Sequence, residues 1–254
     1  MGKKYSLITG ASSGIGKSTA ELFASKGKNL ILIARGTEAL EEVREEIKTK
    51  YPNLDIVIRD YDLTDIAGLN DLYDSFNGYD IETWINNAGF GILELVKDHS
   101  IDRVLNMIRL NVEALTVLSI RYVQDYANVD GTQLINISSG AGYILAPMAT
   151  AYAGTKFYVS AFTEGLDLEL KATGAKMRAK VLAPASTKTN FANVATNRTD
   201  VTYGEDSQYF KKFNTSEDVA GFLYDLYQSD KFLGLVDHET FTLALEDGKF
   251  DNLY

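Results

Sequence analysis

The sequence predicts an α/β fold in which a mostly parallel sheet is covered by helices on both faces. Three observations predict it. Strand-like and helix-like segments alternate along most of the 254 residues. The strand-like segments are apolar throughout rather than alternating, as expected where both faces of a sheet are buried. A glycine-rich turn, Gly10-Ala-Ser-Ser-Gly14-Ile-Gly16, joins the first strand to the first helix.

The elements follow in order. Tyr5–Thr9 reads as a short core strand, and a helix runs from the glycine turn through Lys26. Asn29–Ala34 (NLILIA) is a buried strand, and Glu38–Lys50 an exposed amphipathic helix. Asp55–Arg59 is a strand, Leu69–Phe76 belongs to a helix, and Glu82–Asn86 is a strand. Ile101–Ala127 is a long helical stretch with a break expected near Arg109. Gln133–Ser138 is a strand, Thr150–Thr173 a helix and Lys176–Ala183 a strand. Thr215-Ser216-Glu217-Asp218 is a capping signal that opens a last helix, Ser216–Gln228. The tail from Phe232 to Leu245 is strand-like. No linker or repeat divides the chain, so residues 1–254 are expected to form one domain. Only Ser186–Asn214 lacks regular periodicity. A polar loop of that length inside a domain is usually functional or mobile.

Composition narrows the function classes. The 45% apolar content suits a globular core, and the absence of cysteine removes disulfide and thiolate chemistry. Two histidines, His99 and His238, leave little room for a histidine-rich metal site, and no metal is expected. A formal charge of −10 argues against nucleic acid or an anionic membrane as a partner. The start, Met1 to Thr9, carries no long apolar run and no cleavage site, and no stretch reaches the length of a membrane span. A cytoplasmic location is the expectation.

The glycine turn points to a dinucleotide. Glycines allow a tight turn and close approach of phosphate, and the helix start offers N–H groups and a positive dipole end. Gly10, Ser12, Ser13, Gly14, Ile15 and Gly16 are therefore candidate cofactor contacts. The spacing is G-x-x-x-G-x-G rather than the G-x-G-x-x-G of many dinucleotide enzymes. The second strand ends Ile33-Ala34-Arg35, without the acid that commonly bonds the ribose hydroxyls of NAD. A carboxylate would repel a 2′-phosphate, whereas Arg35 can bind one. NADP(H) is therefore favoured over NAD(H). Asp62-Leu63 after the third strand offers an adenine contact. Asn86-Asn87-Ala88-Gly89 ends the fourth strand with small and amide residues suited to close backbone approach.

Tyr152 and Lys156 lie four apart on a predicted helix and so share a face. A phenol, with an ordinary pKa of about 10, is a poor proton donor or acceptor near neutrality. A neighbouring ammonium favours the phenolate and is expected to lower that pKa. Ser139, upstream of both, can hydrogen-bond the oxygen that Tyr152 protonates. This is a proton-transfer constellation for interconverting C–OH and C=O.

Taken together, Thr9-Gly10-x3-Gly14-x-Gly16, Asp62, Asn86-Asn87-Ala88-Gly89, Asn111, Ser139, Tyr152 and Lys156 resemble, in order and spacing, the short-chain dehydrogenase/reductases. The resemblance covers residues 3–190 closely and the rest more loosely. It implies a Rossmann-type, doubly wound parallel sheet of seven strands in the order 3-2-1-4-5-6-7. It further implies Tyr152 as general acid/base, Lys156 on the nicotinamide ribose, Ser139 on the substrate oxygen, and Asn111 holding a relay water beside Lys156. Asn87, Ala88 and Gly89, with Pro184, Thr187 and Thr189, would complete the cofactor contacts, Thr189 at the nicotinamide carboxamide. The usual Pro-Gly after the sixth strand is Pro184-Ala185 here. The chain end lacks the glycine pair common in tetrameric relatives. With Ala34-Arg35, this looks more like the NADP-type bacterial members of the DltE-like kind.

The expected substrate wall comprises Phe90, Tyr143, Ile144, Met148 and Phe191, which suits a hydrophobic small-molecule carbonyl or alcohol. The favoured reading is an NADP(H)-dependent oxidoreductase. A cofactor-binding regulatory protein on the same scaffold is the alternative, and the same triad could also serve imine, epimerisation or dehydration chemistry. Apolar residues in excess on Asn111–Ala127 and Thr150–Thr173 suggest a homodimer through a four-helix bundle, with a tetramer as the alternative.

Overall fold

The computed structural model describes residues 2–207 and 210–250. Residues 1, 208–209 and 251–254 of the expected domain and loop lie outside the described residues. A single eight-stranded sheet organises the chain, in the order β10-β9-β6-β5-β4-β1-β2-β3. Its strands are β1 (Lys4–Thr9), β2 (Asn29–Ala34), β3 (Ile56–Asp60), β4 (Asp80–Asn86), β5 (Gln133–Ile137), β6 (Arg178–Ala183), β9 (Leu233–Val236) and β10 (Leu243–Glu246). Seven of them are parallel in the expected order, β9 taking the seventh place. The strand-like tail is not one strand. It folds back as the antiparallel pair β9 and β10, because Asp237 accepts three hydrogen bonds from Glu239 and Thr240 and holds a turn.

Helices cover both faces. Helices α1 (Gly14–Ser25), α2 (Thr37–Lys50) and α8 (Ser216–Gln228) bury Phe23, Leu40, Val43, Leu223 and Leu226 against Ile8, Leu30, Leu32, Ile85 and Ile135. On the opposite face, α3 (Leu69–Asp74), α5 (Leu115–Tyr126) and α6 (Thr150–Ala172) pack Leu72, Leu118, Tyr122 and Leu170 on Leu7, Ile31, Ile33, Trp84 and Leu134. Successive residues of β1 and β2 thus enter opposite clusters, which is why these strands read as continuous apolar runs. Each fully buried aliphatic side chain contributes about 2 kcal/mol from burial alone.

The expected capping box at α8 is present, Thr215 Oγ accepting from Asp218 N and Asp218 accepting from Thr215 N. The other end of α8 is held by Lys180 of β6. Its ammonium donates to the carbonyls of Leu226, Tyr227 and Ser229 at 2.9, 3.1 and 2.7 Å, satisfying orphan groups at the helix C-terminus. The break near Arg109 is real. Helix α4 (Ile101–Ile108) passes into α5 through a wide π-type turn, Arg109–Ala114, that carries Asn111.

The stretch 186–214 is less irregular than its composition suggests. It contains β7 (Thr187–Lys188) and α7 (Phe191–Thr196), and β7 pairs with β8 (Asn214–Thr215). Tyr203 stacks on Phe210 and meets Phe213 edge-on. Aromatic contacts within the segment, which follow neither helix nor strand period, organise it.

Candidate active site

A cleft of about 1120 Å³ opens at the carboxyl ends of the parallel strands. Ligands of doubly wound sheets bind there, because the strand ends and helix starts converge at that edge. The volume exceeds the roughly 300–1,000 Å³ of ordinary small-molecule pockets, leaving room for a dinucleotide beside a second molecule.

The floor is the turn between β1 and α1. Gly10 and Gly14 have φ of +67° and +52°, a conformation that other residues adopt only with strain. Gly16 does not line the cleft. It packs behind it, where a Cβ would stand 2.2 Å from Gly10 O and 2.6 Å from Asn87 Nδ2. The Ser13 side chain makes no capping bond to α1, so the first-turn amides keep their capacity to bind an anion. Thr9 Oγ accepts from the amides of Asn87 and Ala88, and Asn87 Nδ2 donates to Thr9 O at 2.9 Å. Asn87 therefore stitches the end of β4 to the glycine turn.

Arg35, Asp62 and Leu63 form the adenosine end of this cleft. The Arg35 side chain is 75% exposed and its only ion-pair contact among the described residues is Asp62, at 4.0 Å. Most of its hydrogen-bonding capacity is thus available. Asp62 is engaged by the amide and hydroxyl of Thr64. Sequence reading missed Asp60. Its carboxylate accepts from Gly36 N, Thr37 N and Thr37 Oγ at 2.9, 2.9 and 2.7 Å, and these bonds hold its pKa below the usual carboxylate range. It fixes the turn that follows Arg35, a contact between strand ends that no local signal announces.

The centre of the cleft brings Ser139, Tyr152 and Lys156 together. Ser139 leads a tight turn after β5, its hydroxyl accepting from Ala141 N at 3.2 Å. Tyr152 and Lys156 project from the first two turns of α6 and are buried, with 8% and 5% exposure. Burial pushes the Tyr152 phenol up to about 12, while an interaction with the Ser139 hydroxyl pulls the other way. Burial also pushes the Lys156 ammonium down to about 8. Lys156 is not among the groups that shift the Tyr152 phenol in this structure: its Nζ stands 6.0 Å from the phenol ring centre and donates to Ile137 O at 2.8 Å.

Asn111 lies one layer behind the cleft, 1% exposed. Its amide accepts from Phe90 N at 3.1 Å and donates to Phe90 O and Thr155 Oγ at 2.9 and 3.1 Å. It clamps the chain at Phe90 rather than touching Lys156. The space beside it depends on Gly89, where a Cβ would meet Asn111 Oδ1 at 3.0 Å and Lys156 Nζ at 3.6 Å.

Gly10, Ser12, Ser13, Gly14, Ile15, Ala88, Gly89, Pro184, Thr187 and Thr189 also face the cleft. Thr189 reaches across it, its Cγ 3.2 Å from where a Gly14 Cβ would be. Of the expected substrate wall, Phe90, Ile144 and Phe191 line the cleft. The Phe191 ring sits 5.4 Å from that of Tyr152, in space left by Gly91. Tyr143 and Met148 do not line it. Tyr143 turns away to donate to Glu164 at 2.6 Å. Met148, with φ of +66°, is half exposed, and its carbonyl accepts from Glu94 N at 3.0 Å. Polar residues of α4, namely Asp102, Arg103 and Asn106, complete the mouth, and with them the exposed His238. Arg103 donates to Val194 O and so ties α7 to α4. Among the described residues, no group of three or more His, Asp or Glu gathers to hold a metal, and no helix is long and apolar enough to cross a membrane.

A doubly wound parallel sheet with a glycine turn, and a Ser, Tyr and Lys at the cleft centre, define a class of nucleotide-binding oxidoreductase. Residues 4–200 match the short chain dehydrogenase family, and the chain belongs to it. A very-long-chain 3-oxoacyl-CoA reductase-like protein of Arabidopsis thaliana is 29% identical over 188 residues, 72% of this chain. The alignment spans 60% of the plant protein's length. An oxidoreductase of Staphylococcus saprophyticus is 31% identical over 193 residues, 75% of this chain and 76% of the relative. A short-chain dehydrogenase from Sphingobium yanoikuyae, solved in complex with NADPH, superposes with a TM-score of 0.78 at 27% identity, covering 92% of this chain and 87% of that one.

Proposed function

We propose that this chain is an NADP(H)-dependent oxidoreductase that interconverts a carbonyl and a secondary alcohol of a small, largely apolar molecule. The convergence of Ser139, Tyr152 and Lys156 at the centre of one cleft carries the reading. The site fits a dinucleotide on its own geometry: Gly10 and Gly14 hold the positive-φ turn that lines the cleft, Gly16 lets that turn pack closely on Asn87, and the first amides of α1 lack a side-chain cap. Those amides, with Ser12 and Ser13, would hold the phosphates, and Thr189 the nicotinamide carboxamide. Arg35 would bind a 2′-phosphate. The NADPH bound to the Sphingobium relative supports the same choice. The bound nicotinamide supplies or accepts hydride.

The chain's own residues do the rest. Ser139 orients the carbonyl oxygen. The Tyr152 hydroxyl, protonated at neutral pH, donates its proton to that oxygen during reduction. Lys156, buried in the same cleft and bonded to Ile137 O, would hold the nicotinamide ribose. Phe90, Ile144 and Phe191 exclude water from the reacting face. A panel of ketones and aldehydes, followed by NADPH consumption, tests the function. Turnover of any member rules out a pure cofactor binder. Tight NADPH binding without turnover across the panel overturns the enzymatic reading.

A further inference from the structure

Among the described residues, Glu164 is a buried carboxylate beside the 143–149 wall that the proposed chemistry does not use. It lies on α6, two turns beyond Lys156, and is 1% exposed. Three donors converge on it. Tyr143 Oη donates to one oxygen at 2.6 Å, and the amides of Lys249 and Phe250 donate to the other at 2.9 and 3.1 Å. The Phe250 ring stacks on Tyr143 with centres 5.6 Å apart. The tail backbone is pressed close. A Cβ at Gly248, where φ is +118°, would stand 2.9 Å from the same carboxylate oxygen and 2.5 Å from the Phe232 ring. A buried carboxylate with its lone pairs matched to fixed donors is a strong tie, because charge-assisted bonds are stronger than neutral ones.

The tie joins the far end of the chain to the cleft. Tyr143 opens the segment 143–149, whose Ile144 and Ala149 line the cleft. The turn before it is held separately, by Gly140 N on Pro184 O and by the close packing of Gly142 on α6. Ser139 therefore does not depend on the clamp. The wall after Tyr143 is bonded at its two ends, by the amides of Tyr143 and Ile144 on Gly140 O and by Glu94 N on Met148 O, and the clamp adds the tie that fixes the Tyr143 side chain. Lys249 and Phe250 lie beyond the residues matched to the family, 4–200.

We infer that Glu164 is a positioning residue that uses the chain's own tail to set the 143–149 substrate wall, and so tunes the fit of the carbonyl compound without taking part in proton transfer. The inference rests on the reading of the cleft as a carbonyl site. Its test does not depend on turnover. Hydrogen exchange is measured on the full-length protein, with Glu164→Gln, Tyr143→Phe and Phe250→Ala beside the wild type. Glu164→Gln cannot accept from all three donors. Losing one bond to a carboxylate corresponds to roughly tenfold or more in local opening. Exchange at amides 143–149 and 248–250 is expected to rise by about that factor. Exchange in β5 and residues 139–142, and NADPH affinity by fluorescence, are expected to stay unchanged. Tyr143→Phe should release 143–149 alone, because the tail amides keep their acceptor. In propiophenone reduction the same variants should raise KM at constant kcat. Unchanged exchange at 143–149, or equal acceleration throughout α6 and β6, overturns the inference. Absence of turnover on any carbonyl would overturn the functional reading and leave the exchange result standing.

Discussion

Lys156 aims its ammonium at the carbonyl of Ile137, 2.8 Å away, rather than at the phenol of Tyr152, whose ring centre is 6.0 Å distant. The two side chains share a helix face and a cleft, yet in this structure burial dominates both titrations. Tyr152 is proposed as the proton donor. General acid catalysis contributes about 10²–10⁴-fold. Tyr152→Phe is expected to lose turnover by that factor while binding NADPH as the wild type does. Single-turnover kinetics and fluorescence titration measure the two quantities. Near-normal turnover in the variant would remove Tyr152 as the acid.

Buried Lys156 also costs stability. Its pKa falls from 10.5 to about 8. Below pH 8 the folded protein carries a desolvated ammonium that the unfolded chain keeps in water. Between about 8 and 10.5 the unfolded chain binds more protons, so this penalty disappears as pH rises. The shift corresponds to about 3 kcal/mol. Lys156→Met should be inactive, and its stability relative to the wild type should fall by roughly 3 kcal/mol as pH rises from about 8 to 10.5. Urea unfolding of both proteins across pH gives the difference directly.

Arg35 has one weak ion-pair contact and lies at the adenosine end of the cleft. A charge-assisted bond contributes roughly 1.5–3 kcal/mol. Arg35→Ala is expected to weaken NADPH binding by one to two decades and to leave NADH binding unchanged. Calorimetric titration with each cofactor decides it. Equal losses for both would mean that Arg35 supports the fold of the turn instead.

The segment 186–214 is tied down at Val194 by Arg103, and at Ala195 by the amide of Leu93. It is expected to loosen and close as a lid nonetheless, because Arg103 is its one side-chain tether to α4 among the bonds at α7. Hydrogen exchange should show protection of 191–196 rising when NADPH and a substrate analogue are added. Full protection before addition would mark a rigid wall.

Ile101, Leu105 and Ile120 on α4 and α5, and Tyr158 and Leu168 on α6, are exposed apolar side chains. Leu115, Leu118 and Leu170, by contrast, are buried within the chain. The exposed set is expected to pair across a two-fold axis. Light scattering should give twice the 28.1 kDa chain mass, and Ile120→Glu should lower it. A wild-type mass of 28.1 kDa would leave these residues solvated, and four times that mass would point to a tetramer.

Sequence alone determined the sheet and the side chains that meet in the cleft at its edge. The continuous apolar runs of β1 and β2 require burial on both faces, and the glycines at 10, 14 and 16 require close approach, so both were legible from residue type and spacing. Tyr152 and Lys156 were legible because a helix places residues four apart on one face. Tertiary structure decided what depends on contacts between distant segments. Asp60 serves a turn in another strand's loop, Arg103 and His238 reach the cleft from α4 and the tail, and Tyr143 is drawn away by Glu164. The proton affinities of Tyr152 and Lys156 belong to the same class. They are set by the water that folding removes, and no spacing along the chain records how much of it goes.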